Sequence, residues 1–393
     1  MYDGLCFLHS SDHFFIESEF LSSTWLLSLL SLPSLQDSDG LLGSVLALLN
    51  VDVLRPFLSS FSSLRSLLVG TGSPCVGFSV AKTDPRGTLD PASALVAVLP
   101  CLLAHLHALL PAEVQIFFYL ENVPMDDPER ILQCQHLITS CLGVPSHLLD
   151  GALISASSRR RRIWTNMAVQ PLRASGVDVS TGLQEGWRPL WEFPSGTPRP
   201  DVRFGTFTRG FDVGFPREVP DEFKSFQRMG LHAYHDRLLL YKPGASPELL
   251  QQLKQRVSSE VRIKTSGLRV AGSAALQARC RLASWIHREG GSAVLRPPSG
   301  SERDVIMGFP AGASALPSDP DSSFVLAQMG ATGNTFLVPM ISHVLQSYAA
   351  FIRQGASPLR PGWTRSSLPA QLSFRDTLAG LLPSGVSVGG FTR

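Results

Sequence analysis

The chain reads as an α/β fold, a doubly wound and mostly parallel sheet interrupted by an irregular inserted domain. Three observations predict it. Short apolar runs alternate with helix-like segments between residues 64 and 155, the texture changes to Gly, Pro, Arg and aromatics from about 167 to 300, and apolar patterning returns over 301–350. With 393 residues and 44% apolar content the chain is long enough to bury a substantial core.

Each element has its own local signal. Leu64 to Gly70 ends an apolar run at Gly70, Thr71, Gly72, Ser73 and Pro74, which predicts a strand entering a sharp loop that carries Cys75. Asp90 and Pro91 open a helical stretch to Leu110, with Asp as N-cap, and Pro100 is expected to kink or divide it. Val114 to Leu120 predicts a buried strand, in which Phe117, Phe118 and Tyr119 are core. Asp127, Pro128 and Glu129 start a helix whose Ile131, Cys134, Ile138 and Cys141 share a face and which Gly143 stops. Gly151 to Ser155 is a third strand candidate. In the irregular region one helix is expected, at Pro247 to Val257. The resulting division is a first sheet-forming part over 1–166, an irregular inserted region over 167–300, a return to the first part over 301–352, and a flexible tail over 353–393.

Composition excludes several classes of function. Phe20 to Leu35 is uncharged, but it repeats Ser, is broken by Pro33, follows Glu17 and Glu19, and falls short of the roughly 20 residues of a membrane span. It reads as buried helix, with no membrane association. Cys6, Cys75, Cys101, Cys134, Cys141 and Cys280 form no Cys-x-x-Cys pair, and His232, His235 and Cys280 lack a fourth ligand, so no metal is expected. A reduced intracellular protein, not a secreted one, is the simplest reading. Charge is unevenly placed. Residues 1–158 hold 5 Lys/Arg and 15 Asp/Glu (−10), residues 159–300 hold 23 and 12 (+11), and residues 301–393 hold 6 and 5 (+1). A basic middle joined to an acidic first part suits a chain that lies on a polyanion; a solvated basic face is the plainer alternative.

Five local signatures carry chemistry. Gly72, Ser73, Pro74 and Cys75 form one; Leu120, Glu121, Asn122 and Val123 the second; Arg159 to Arg161 with Ile163, Trp164 and Asn166 the third. Glu302 and Arg303 before Met307, Gly308, Phe309 and Pro310 form the fourth, and Gly333, Asn334, Thr335 and Phe336 with Val338 and Pro339 the fifth. Singly, a Pro-Cys is a turn, a Glu-Asn-Val a capped strand end, and an arginine run a solvated face. In this order, with a large insert between the third and fourth, they resemble the cytosine-C5 methyltransferases, most closely in wording the de novo DNA methyltransferases of animals, over roughly residues 13 to 352.

The resemblance implies a Rossmann-like catalytic domain, S-adenosyl-L-methionine as cofactor, DNA as substrate, and a nuclear location. It implies that a Cys75 thiolate adds to cytosine C6 so that C5 becomes nucleophilic, that Glu121 binds the N3 and amino edge, that Arg161 holds O2, and that Arg159 supports the loop. For the cofactor it implies Glu19 at the ribose hydroxyls, Asp52 with Val53 at the adenine, and Pro74, Asn334, Thr335 and Phe336 around the remainder. Only Tyr2, Asp3 and Gly4 resemble the family's first glycine turn, and the interval to Glu19 is short, so the pocket is expected to be incomplete, through a late start or a degraded turn. A catalytically impaired homologue that binds DNA or a partner methyltransferase subunit, and an RNA cytosine-5 methyltransferase, are the competing readings. The latter lacks its branch's Cys-Phe-Thr signature here.

Overall fold

A computed structural model describes residues 49–59, 64–72, 75, 78, 87–90, 93–125, 129–199, 201–205, 239–252, 254–255, 288–289, 292–296, 298–314, 335–355, 359–364, 367, 376–377 and 379, together with the backbone of 5–6, 9–10 and 13–18. The segment Phe20 to Leu35, expected as buried helix, lies outside these residues. The chain forms two discontinuous compact units. A sheet unit comprises Tyr2–Leu149, Arg160–Pro171 and Ser342–Arg393, and an insert unit comprises Asp150–Arg159 and Leu172–Ile341 with residue 1.

The sheet unit is α/β. Strands β1 (Leu5–Cys6), β2 (His9–Ser10) and β3 (His13–Ser18) are followed by helix α1 (Val51–Ser59), strand β4 (Ser66–Gly72), helix α2 (Val98–Leu109), strand β5 (Gln115–Asn122), helix α3 (Glu129–Leu142), and strands β6 (Ser146–Asp150) and β7 (Arg160–Thr165). They form one sheet in the order β1-β3-β4-β5-β7-β6, with β2 on β3. The two longest ladders, β3–β4 and β4–β5, are parallel, as expected of the fold class, while β7 runs antiparallel to β5. Because strand side chains alternate, Leu67, Val69, Ile116, Phe118, Leu120 and Trp164 share one core cluster with Leu54 and Leu58 of α1 and apolar residues of α2 and α3. Phe117 faces the other way, against Tyr348 and Phe351 of α5 (Val338–Gln354), at ring distances of 5.2 and 5.3 Å.

Local chemistry explains where the structure departs from the sequence-based expectations. Asp90 does accept the Ser93 N–H, at 3.4 Å, but Ser93–Ala97 then take 3-10 geometry. The α-helix starts only at Val98, so Pro100 falls in its first turn, where a missing N–H costs no hydrogen bond, and no kink is needed. The third strand is Ser146–Asp150 rather than Gly151 to Ser155. Asp150 accepts the Ala152 N–H at 2.9 Å and turns the next residues into a 3-10 helix, Gly151–Leu153. Helix α3 ends as expected, at Gly143 with φ 64°. In the segment expected to be a tail, Trp363 meets Phe118 edge-on at 6.3 Å, Leu359 bridges Met167, and the Cys101 thiol donates to Thr377 Oγ1 at 3.1 Å.

The insert unit contains a three-stranded antiparallel sheet of two-residue strands in the order β12-β9-β8, where β8 is Arg188–Pro189, β9 Leu240–Tyr241 and β12 Leu295–Arg296. A hairpin of β10 (Arg288–Glu289) and β11 (Ser292–Ala293) precedes β12, and helix α4 (Gly300–Met307) comes after it. Residues 247–252 and 254–255 are helical, within the range expected. Helix α4 opens on a capping box, in which Ser299 and Glu302 satisfy each other's backbone N–H, and closes on Gly308 at φ 89°.

Candidate functional site

Three of the four catalytic candidates belong to the sheet unit and derive from neighbouring strands. Cys75 lies three residues beyond the end of β4 and is half-buried; no disulfide engages it. Its carbonyl accepts the Phe78 N–H at 2.9 Å, and the Phe78 ring is fully buried, so the loop turns back into the core directly after the thiol. Farther along, Gly87 at φ 60° packs against α3. A Cβ there would stand 2.8 Å from Cys134 Sγ, which makes glycine a steric requirement as well as a conformational one.

Glu121 is the seventh residue of β5, in register with Gly72 of β4 and Ile163 of β7. It is 8% exposed, and its Oε1 lies 2.5 Å from Arg161 Nε, with the guanidinium equally withdrawn from solvent. Arg161 Nη1 donates to the Arg160 carbonyl at 2.8 Å, which aims the fork along the strand. The Glu121–Arg161 contact is a charge pair without hydrogen-bond alignment, and Glu121 Oε1 is a buried oxygen that receives no hydrogen bond.

Glycines keep this face of the sheet clear. Gly70 and Gly72 are the register partners of Tyr119 and Glu121, so β4 presents no side chain opposite either. The Tyr119 ring fills the space over Gly70, where an added Cβ would come within 2.5 Å of the ring. Tyr119 is fully buried, as expected of a core residue, and sits two residues before Glu121 on the same face. Asn122 holds the strand end, its Oδ1 accepting the Val123 N–H at 2.8 Å. Asn166 does the same at the other end of the ladder, donating to the Ile116 carbonyl (2.8 Å) and accepting the Phe118 N–H (3.0 Å).

Arg159 behaves differently. It belongs to the insert unit, is buried, and donates through Nη2 to the Thr335 carbonyl at 2.6 Å. The run of four arginines is therefore not a solvated face. Arg162 is also buried and donates to Ser146 Oγ at 3.0 Å, a tie between β7 and β6 that the sequence does not announce, while Arg160 alone is exposed. Sequence alternation does not signal this, because burial through 160–165 is continuous after Arg160.

Of the residues implied for S-adenosyl-L-methionine, Glu19, Pro74 and Asn334 lie outside the described residues. Asp52 is exposed in the first turn of α1, its N–H donating to Asn50 Oδ1 at 2.9 Å, and Val53 is next to it on the helix; neither is at a strand end. Thr335 accepts from Arg159, and Phe336 is buried. Asp52 and Val53 fall in the sheet unit, Thr335 and Phe336 in the insert unit. Among the described residues no cluster of His, Cys, Asp and Glu could hold a metal ion, and no helix is long and apolar enough to cross a membrane.

No family model and no curated protein matches the chain. Among solved structures it is similar to a DNMT2 variant from Spodoptera frugiperda (14% identity, TM-score 0.34, 74% of this chain and 81% of that one). It is also similar to the S. pombe Dnmt2 methyltransferase (12%, TM-score 0.36, 85% and 97%) and to the Entamoeba histolytica methyltransferase EhMeth (12%, TM-score 0.36, 76% and 82%). The chemistry of this chain rests on the residues of its site, not on these likenesses.

Proposed function

We propose that the chain is a DNA cytosine-C5 methyltransferase that engages its target base through Cys75, Glu121 and Arg161. The observation that carries this is the buried Glu121 carboxylate, charge-paired to Arg161 at 2.5 Å yet lacking a hydrogen bond on Oε1, on the strand next to the one that leads into Cys75. A neutral planar ligand with a donor-acceptor edge is what such a carboxylate recognises, and a thiol on the adjacent loop is a nucleophile for it.

The chain's own residues account for base activation. The Cys75 thiolate forms a bond to C6, which breaks the C5–C6 double bond and moves its electron pair toward C5. Glu121 takes up a proton from solvent as the base binds and shares it with N3, which neutralises the ring, and the Arg161 cation balances charge beside it. Release needs loss of the C5 proton and departure of Sγ. S-adenosyl-L-methionine, when bound, supplies an electrophilic methyl group. The base must leave the duplex to reach a half-buried thiol, and the basic middle of the chain (23 Lys/Arg against 12 Asp/Glu over 159–300) suits the phosphates that remain.

The test is a DNA duplex carrying 5-azacytosine, whose addition product at C6 forms without methyl transfer. A complex that survives denaturation and maps to Cys75 is expected, absent in Cys75→Ser. An adduct that persists in that variant, or maps to another cysteine, removes Cys75 from the mechanism. The same sequence as RNA is expected to react more slowly; a faster RNA reaction would instead select the RNA methyltransferase. The position of Asp52 on an exposed helical turn favours, as a second reading, a homologue that captures the base but is impaired in transfer. Cofactor titration by calorimetry separates the two.

A further inference from the structure

Trp187 in the insert unit has no part in the chemistry above. It is half-buried and immediately precedes β8, its backbone N–H donating to the Gln184 carbonyl at 3.0 Å. The Arg296 guanidinium lies over its ring, 4.1 Å from the centroid. That guanidinium is fixed: Nη1 donates to Glu302 Oε2 at 2.6 Å, and Nη2 to Glu302 Oε1 at 2.9 Å and to Gln184 Oε1 at 3.1 Å. Glu302 is held in turn by the N–H groups of Ser299 (2.6 Å) and Gln184 (2.8 Å). A long, flexible side chain has thus been locked as a cation behind one aromatic face.

The sheet register supplies the rest. Arg188 stands opposite Tyr241 as the terminal pair of the β8–β9 ladder, and Trp187 and Lys242 are the residues next to that pair on either chain segment. Lys242 is exposed, and its backbone N–H donates to the Val294 carbonyl at 3.0 Å, which fixes the strand beneath it. A partly exposed indole backed by a fixed guanidinium, with an exposed lysine just past the same end of the ladder, matches the two demands of an unpaired nucleotide: a flat surface for the base and a cation for its phosphate.

We propose that Trp187 is a stacking platform for an unpaired nucleobase, with Lys242 contacting the adjacent phosphate. This rests on the proposed function for the class of ligand, nucleic acid, but not on methyl transfer or on Cys75.

The experiment uses the full chain and fluorescence anisotropy with two labelled oligonucleotides of equal length, single-stranded oligothymidylate and its fully abasic counterpart. Trp187→Leu is expected to weaken binding of the base-bearing strand by about tenfold and to leave the abasic strand unchanged. Lys242→Gln is expected to weaken both equally. Loss on both strands, or on neither, in Trp187→Leu overturns the proposal. Should that variant fail to melt cooperatively, Trp187→Phe decides: a smaller loss confined to the base-bearing strand supports stacking, and any equal effect overturns it. Failure of the unaltered chain to bind either strand removes the platform and the nucleic-acid reading together. A platform that behaves as expected beside an absent Cys75 adduct removes the methyltransferase reading alone.

Discussion

Glu121 on β5 and Cys75 on the loop after β4 each make an expectation that can be measured separately. Glu121→Gln keeps the shape of the side chain but removes the charge that faces Arg161, so 5-azacytosine adduct formation is expected to slow by about 10²-fold or more, read as the rate of gel-shifted product. Thiol access gives an independent check. Cys101 and Cys134 are buried, burial pushes the Cys101 thiol up to about 11 despite the hydrogen bond to Thr377, and burial also raises Cys141. Among these four cysteines Cys75 is expected to take up iodoacetamide first, with peptide mass mapping over time as the readout. Cys101 reacting ahead of Cys75 would contradict the placement of both. These residues are legible in the sequence because a nucleophile and an acid at strand ends are chemically conspicuous. Arg159 and Arg162 are not: four consecutive arginines look solvated until the Thr335 and Ser146 acceptors are known.

At the scale of elements, the pairing of Gly70 with Tyr119 makes the clearest claim. A methyl group on Gly70 would meet the Tyr119 ring at 2.5 Å, in a fully buried position between two paired strands. Gly70→Ala is expected to destabilise the protein by about 1–3 kcal/mol in urea unfolding, through overpacking. Adding Tyr119→Leu to that variant should recover part of the loss, so the double change costs less than the sum of the two. Strict additivity would show that the ring does not lie over Gly70. Long elements such as α3 and β5 are readable because periodicity and a stop signal agree. Where they disagree the sequence misleads. Ala152, Leu153 and Ile154 look like a strand, yet the Asp150 side chain captures the Ala152 N–H and the chain coils instead. Strands β8, β9 and β12 have two residues each, too short for any period to register.

Stability against pH is a property of the whole molecule, and Glu302 and His147 both weaken it on the acid side. Burial alone would raise the Glu302 carboxyl, but hydrogen bonds from Arg296, Gln184 and Ser299 together with the Arg296 charge hold it below the ordinary 4.5. Burial, and then the Arg360 charge, lower His147 below its ordinary 6.5. In both cases the unfolded chain binds the proton more tightly than the folded one, so acid favours unfolding. Stability is expected to be full above pH 6.5, to begin falling below it as His147 charges, and to fall again below pH 4.5 as Glu302 is protonated. Denaturant midpoints across that range read the effect, and Glu302→Gln should flatten the lower step. A midpoint that rises on acidification would reverse the sign for both groups.

The interleaving of the two units along the chain has a further consequence, for vectorial synthesis. Every residue of the insert unit leaves the ribosome before Ser342, whereas the sheet unit waits for Leu359 to bridge Met167, for Trp363 to reach Phe118 and for Thr377 to reach Cys101. The insert unit can therefore mature on a nascent chain whose sheet unit is still incomplete. Loop closures spanning some of the longest separations in the molecule come last. A polypeptide stalled short of residue 359 carries Cys75, Glu121 and Arg161 in full, yet leaves the aromatic face of β5 without its final cover, exposed to chaperones and to neighbouring chains.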